Sequence, residues 1–270
     1  MKLTRETKIK LQNETIANIS VYVNLIESVR KSIKMIDNID QIYNEKKIDI
    51  PNENLHLRRI SEYTMLLGLI WLDITTAFRI YLNARENYEV LYAGKQLVIT
   101  INEGFKKIYN YTSVDANGNL KTSERNKSFW IKDISFLVNK ELSHLRQKYN
   151  EITNELNDYD DQELMDLKDP RDLFVHYHKE NPSVVYDELI KLDIEKISLK
   201  IIPFMEILTK MISFGNSILS EYKTIILKKN DSFFVEHHQK MEFMKVAYAN
   251  NPKAVELFNF IQNDLLNFNK

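Results

Sequence analysis

Ile60-Ser61-Glu62-Tyr63-Thr64-Met65-Leu66-Leu67-Gly68-Leu69-Ile70-Trp71-Leu72-Asp73-Ile74-Thr75-Thr76-Ala77-Phe78 is the stretch that decides the fold. Ile60, Tyr63, Leu67, Ile70, Ile74 and Phe78 recur at three- and four-residue spacing, which puts them on one face of an α-helix. Between Leu66 and Leu72 the apolar character runs all the way round. A helix apolar on every side needs neighbours on every side, so this one is expected in the middle of a bundle. The run stops at Asp73, far short of the roughly 18–20 apolar residues of a bilayer span.

Working outward, this helix is predicted from about Glu53 to Arg85. Upstream, residues 4–46 read as one long helix with Ile16, Ile19, Val23, Ile26, Ile33 and Ile36 on its stripe, and Asp49-Ile50-Pro51-Asn52 breaks it. Downstream, a third helix is expected over about Tyr88 to Tyr109, continuing from the second through a kink near Asn87. Asp115-Ala116-Asn117-Gly118-Asn119 marks a loop within 112–127. A fourth helix is predicted over about Phe129 to Leu156, with Ile134, Leu137, Leu145 and Tyr149 inward. After Pro182 a long helix is predicted to about Leu227, with Ile190, Ile194, Ile197, Ile201, Phe204, Leu208, Ile212 and Leu219 as its stripe and Pro203 as a kink. Two shorter helices, 231–249 and 252–267, complete the chain. No alternating strand pattern and no repeat stands out. The expectation is an all-α fold, an elongated antiparallel bundle of long helices over 1–228 with a C-terminal helical pair over 229–270 packed on the same domain.

Composition narrows the function classes. The chain has 270 residues with 37 basic against 38 acidic side chains, so no global field draws it to nucleic acid or membrane. There is no cysteine, which excludes disulfides and thiolate chemistry and fits a reducing compartment. The first residues lead into a polar amphipathic segment without the apolar core of a signal peptide, so a cytoplasmic protein with no membrane partner is expected. Charge is unevenly spread along the chain. Residues 121–148 carry seven basic against three acidic side chains, while 151–169 carry eight carboxylates against Lys168 alone.

The chemistry-bearing groups gather in Lys168-Asp169-Pro170-Arg171-Asp172-Leu173-Phe174-Val175-His176-Tyr177-His178-Lys179-Glu180-Asn181-Pro182. Asp169 suits an N-cap and Pro170 the first helical position, where its missing N–H would be unpaired anyway. Asn181-Pro182 closes this short helix and opens the next. At i,i+4 spacing Asp172 is placed to orient the His176 imidazole, and Arg171 and His178 share a face two turns apart. Imidazole has the pKa for proton transfer near neutrality, and arginine offers planar, charged donors to phosphate oxygens.

Arg171-Asp172-Leu173-Phe174-Val175-His176, followed by Tyr177, resembles the Arg-x4-His signature of the HEPN superfamily, the higher eukaryotes and prokaryotes nucleotide-binding domain. His178 also satisfies the longer Arg-x6-His form. The resemblance implies a helical bundle with the motif near the ends of its last two long helices. It also implies a metal-independent endoribonuclease of toxin–antitoxin, abortive-infection or other antiviral systems. Such proteins act as homodimers whose two motifs face each other, without cofactor or metal, and an antitoxin or regulatory protein is a further expected partner. On this resemblance Arg171, Asp172, His176 and His178 are the catalytic set. Two positions depart from the family pattern. Asparagine is commoner than Asp172 after the arginine, and His178 stands where some toxins have a modifiable tyrosine.

For RNA binding, the basic 121–148 segment is the candidate track, with Lys127, Lys132 and Arg146 as phosphate contacts, Tyr177 beside the motif, and Phe129 and Trp130 near the start. The acidic 151–169 run is a candidate surface for a basic antitoxin. Two other constellations compete. Glu53-Asn54-Leu55-His56 and Glu141-Leu142-Ser143-His144 are both Glu-x-x-His, which with Glu27 and Glu103 would supply a ferritin-like di-metal site. Their helices would not bring the pairs level, since Glu53 starts its helix and Glu141 lies deep in its own. Glu236-His237-His238 with Glu242 offers i,i+4 ligands but reads as a solvated face. The function alternative to a nuclease is a catalytically silent bundle that binds a protein partner.

Overall fold

The computed structural model describes residues 5–45, 47, 52–110, 113–114, 120–121, 124–160, 164, 167–175 and 182–247. Helices dominate them: α1 (Arg5–Glu45), α2 (Asn52–Asn83), α3 (Asn87–Ile108), α4 (Ser135–Lys140), α5 (Arg146–Tyr159), α6 (Lys168–Val175), α7 (Pro182–Ile190) and α8 (Ile194–Ala247). Among the described residues the only strands are a two-residue pair, β1 (Ser113–Val114) against β2 (Leu120–Lys121), antiparallel, with Ser113 opposite Lys121. It flanks the Asp115–Asn119 loop signal, whose residues lie outside the described set. The chain divides into two compact units, Met1–Leu219 and Ser220–Lys270, where the sequence suggested a boundary at 228/229. Within the second unit, 220–247 is helical, and the helix expected over 252–267 lies outside the described residues.

In the first unit, α2 is flanked as its composition demands. Ile60, Leu67 and Ile74 are fully buried, and each such side chain contributes roughly 1.5–3 kcal/mol relative to exposure. Gln12 meets Asn83, Tyr22 stacks on Trp71 with centroids 3.7 Å apart, and Asn54 meets Asp40, so α1 and α2 run antiparallel. Among the described residues α2 alone is long and apolar enough by composition to cross a membrane, and half of its most apolar window is buried inside the protein.

Four sequence-based boundaries need correction. First, α3 does not continue α2 through a kink. It turns back after Ala84-Arg85-Glu86, because the Glu89 carboxylate accepts the Arg85 and Glu86 N–H groups (2.6 and 3.2 Å) and starts a new helix. The returning α3 lies antiparallel on α2: Tyr63 donates its hydroxyl to the Ile108 carbonyl (3.2 Å), and Gly104 lies against Ile70. Second, the helix expected over 129–156 is interrupted. A π-turn over Trp130–Ile134 leads into α4, and the Leu137 carbonyl then takes the N–H of both Glu141 and Leu142 (2.9 and 3.0 Å) and closes it. A 3₁₀ turn, Ser143–Leu145, starts the next segment, and the apolar spacing persists because Leu142, Tyr149, Ile152 and Leu156 still turn inward. Third, the helix after Pro182 is two helices. Asp193 caps α8 by accepting the Lys196 N–H (3.0 Å), and Ile190, placed on the stripe by its spacing, is exposed. Fourth, no break separates 227 from 231, since α8 is continuous from Ile194 to Ala247 with Pro203 inside it.

The core holds an aromatic cluster around α3, α5 and α8. Phe105 lies against Tyr109, Tyr159 and Phe204, and Trp130 against Tyr149 and Phe214. Buried Arg125 is matched on several sides: it is paired with Asp160, donates to Asn157 Oδ1 (3.1 Å) and the Asn110 carbonyl (3.3 Å), and lies 4.4 Å over the Tyr109 ring. Removing one partner from such a pair is costly, because the other charge is then left buried and alone.

Candidate functional site

The site is assembled by five consecutive residues of α3, Ile101-Asn102-Glu103-Gly104-Phe105. Ile101 and Phe105 are core residues on the inward face. Asn102, fully buried among them, donates its amide to the Leu167 carbonyl (3.1 Å), just before α6, as well as to Val98 (2.8 Å). A buried amide needs such partners, and here the partner fixes where α6 begins. Gly104 lets α2 approach, for a Cβ there would lie 2.7 Å from Ile70 Cγ2. Glu103 faces the other way and accepts a hydrogen bond from Arg171 of α6.

Arg171 is therefore clamped. Its Nη2 donates to Glu103 and its Nη1 to Asp172, and only 14% of its side chain is exposed. Its Nε is buried with no hydrogen-bond partner among the described residues. A donor left open in this way costs roughly 1–3 kcal/mol. Asp172 is exposed and paired with Arg171. α6 begins at Lys168, one residue ahead of the expected cap, so Pro170 lies within the first turn, where a missing N–H does no harm. Phe174 is buried and seats the helix. His176, Tyr177 and His178 lie outside the described residues.

Glu103 also lines a cavity of about 350 Å³, together with Lys106, Lys107, Glu124, Lys127 and Phe129. Of the three basic residues proposed from the sequence, Lys127 is brought here. Lys132 and Arg146 are exposed elsewhere and do not line it; Arg146 donates to the Asn139 carbonyl (3.4 Å). Lys106 and Lys107 were not singled out from the sequence, because two lysines in the last turn of a helix carry no motif. Trp130 offers no open ring, since it is buried and donates its indole N–H to Thr153 (2.9 Å).

The competing metal constellation is not assembled. Glu141 lies in the turn after α4 and His144 in the following 3₁₀ turn, so they share no α-helical face. Glu103 is committed to Arg171, and Glu27 lies 3.5 Å from Arg30. Among the described residues no group of three histidine, cysteine, aspartate or glutamate side chains is placed to hold a metal ion. The side chains of Glu236, His237, His238 and Glu242 lie outside that set. Comparison of the chain with protein-family models, with curated proteins and with solved structures finds no match.

Proposed function

We propose that this chain is a metal-independent endoribonuclease of HEPN-like bundle architecture, acting in the cytoplasm in a defence or toxin–antitoxin setting. The observation that carries the reading is the placement of Arg171: the motif arginine is positioned by α3, through a carboxylate that also lines a lysine-bordered cavity. An arginine fixed in this way is a pre-oriented phosphate ligand, with Glu103 and Asp172 holding its fork until a phosphate competes for it. The reaction is cyclisation. An imidazole takes the proton of the ribose 2′-OH, the 2′-oxygen bonds to phosphorus, and the bond to the 5′-oxygen breaks as a second acid protonates it. His176 is the assigned base; His178, or His176 of a second copy across a two-fold axis, is the acid.

A second reading, a silent bundle that binds a protein partner, draws on the same clamp. Arg171 is largely buried and already faces two carboxylates, which is what a strut between α3 and α6 requires. Cleavage of RNA in the presence of EDTA separates the two. The nuclease reading expects cutting by wild type and a loss of about 10² or more in His176→Ala and Arg171→Ala. A wild-type protein that cuts nothing while the double variant keeps its cellular effect leaves the binding bundle.

A further inference from the structure

The cavity beside Glu103 has a charge balance that the cleavage chemistry does not use. Its two carboxylates already have cations: Glu103 has Arg171, and Glu124 has Lys127 at 2.6 Å. Lys106 and Lys107 are exposed and carry no ion pair among the described residues. They lie in the last turn of α3. Because Arg171 is shared between Glu103 and Asp172, one net positive charge is left around the cavity, and the α3 dipole offsets about half of it, so a positive surplus of about half a unit remains, carried by the two lysines. An anion is what that surplus would attract.

Phe129 supplies a different kind of contact. Its ring is stacked on Tyr63, with centroids 4.6 Å apart and planes 22° from parallel. Tyr63 is itself buried and tied to the Ile108 carbonyl (3.2 Å), so the platform under Phe129 is rigid. Phe129 stays half-buried and forms part of the cavity wall. A flat apolar surface next to two unmatched cations matches a molecule with an aromatic ring and a phosphate. The volume of about 350 Å³ sits at the small end of ligand sites, which run from roughly 300 to 1,000 Å³.

We infer that this cavity binds one unpaired nucleotide of a single-stranded RNA, with the base on Phe129 and the phosphate between Lys106 and Lys107. The inference rests on the reading of the chain as RNA-acting and narrows its substrate to single strands. Bases inside a duplex stack on each other and offer no free face to an aromatic side chain.

The test uses a labelled 2′-O-methyl RNA strand, which cannot cyclise, and its duplex, with fluorescence anisotropy over a range of salt. Wild type is expected to prefer the strand over the duplex. Lys106→Ala/Lys107→Ala should weaken strand binding about tenfold at low salt and flatten the log–log salt slope by about 1.4. Phe129→Leu should weaken it about fivefold or more with the slope unchanged, while Phe129→Tyr, which keeps the ring, should bind like wild type. Thermal melts confirm that each variant is folded; the lysines are exposed and carry little folding risk. Folded lysine and leucine variants that bind like wild type overturn the subsite, and if ordinary RNA is still cut the ribonuclease reading survives. The expected losses in a protein that cuts no RNA support the subsite and sink the ribonuclease. A wild type that binds no strand overturns both.

Discussion

Arg171 and Glu103 are joined by a hydrogen-bonded ion pair across 68 residues of sequence. The pair fixes the motif helix α6 to α3, and Asn102 beside Glu103 fixes the residue that precedes that helix. Position and charge at the motif are thus set by the same turn of α3.

Breaking the pair should cost stability in a way that depends on both residues. Glu103 is 36% exposed and can rehydrate, so Arg171→Ala is expected to lose about 1–3 kcal/mol, below the cost of a fully buried pair. Glu103→Gln should lose less, and the double variant should lose less than the sum of the two. Denaturant unfolding of the four proteins measures that coupling, and additive losses would mean the two groups do not support each other. Arg171→Lys is the functional probe. It keeps a cation for Glu103, but it lacks the fork for a phosphate, so stability should largely survive while cleavage falls by about 10².

Gly104→Ala tests the α2–α3 approach directly. The added methyl would lie 2.7 Å from Ile70 Cγ2, and Ile70 is buried, so the helices must separate or the side chain must leave its rotamer. A loss of about 1–3 kcal/mol is expected from thermal or denaturant unfolding. Ile70→Ala, which removes the clashing Cγ2, combined with Gly104→Ala should lose less than the sum of the two single losses. A Gly104→Ala protein as stable as wild type would show that α2 and α3 are farther apart.

Much of the helical content was legible because burial imposes a periodicity that survives without any partner in view. The stripe Ile194, Ile197, Ile201, Phe204, Leu208 and Ile212 is buried as its spacing requires. The interruption after α4 was missed because periodicity passes through a break that preserves the inward register, whereas the α7–α8 break moves Ile190 off the stripe. Leu137 and Tyr149 stay inward on the two sides of the interruption after α4. Asp193 was a cap signal hidden inside an apolar pattern. The site was half legible. Arg171 and Lys127 could be named from motif and charge, but Glu103 could not be paired with Arg171, because which helices touch is a tertiary property. Asn102 did leave a trace: a polar residue in the inward register between Val98 and Phe105 needs a buried partner.

Lys132 and Arg146 now carry a different expectation from Lys106 and Lys107. Neither lines the cavity beside Glu103. Charge reversal at both should change strand affinity through the general field only, about as much at high as at low occupancy of the site, and less than neutralising Lys106 and Lys107. Salt-dependent anisotropy on the two double variants makes the comparison, and a larger effect from Lys132 and Arg146 would move the RNA track away from the cavity.

Stability should fall at alkaline pH. Burial pushes the Tyr109 hydroxyl up to about 12, with Arg125 opposing it only in part. Burial also raises Tyr63, Tyr81 and Tyr149. In the unfolded chain a tyrosine ionises near pH 10. Above about pH 10 the unfolded chain therefore releases protons that the folded chain keeps, and the contribution present below that pH is lost as pH rises. Denaturant midpoints between about pH 9 and 11.5 should fall in step with tyrosinate absorbance of the unfolded chain, and Tyr109→Phe should make the fall shallower. A flat profile would mean these hydroxyls are in contact with solvent.

The assembly of the active site can be read from mixtures. A single motif offers His176, and His178 if it turns inward, whereas cyclisation needs both a base and an acid. If two copies each supply an imidazole, a protein of 32.1 kDa should behave in light scattering as a dimer of twice that mass. Dimer formation alone does not prove shared chemistry, so the decisive arrangement is wild type exchanged with a threefold excess of His176→Ala at constant total protein. Independent sites would leave about one quarter of the cleavage rate, because only dilution acts. A site that needs His176 from both copies would leave about one sixteenth, the fraction of dimers with two wild-type chains. A rate near one quarter in a protein shown to be dimeric would assign the acid to His178, of the same chain or of the partner, rather than to a second His176, and His178→Ala alone should then abolish cleavage as fully as His176→Ala.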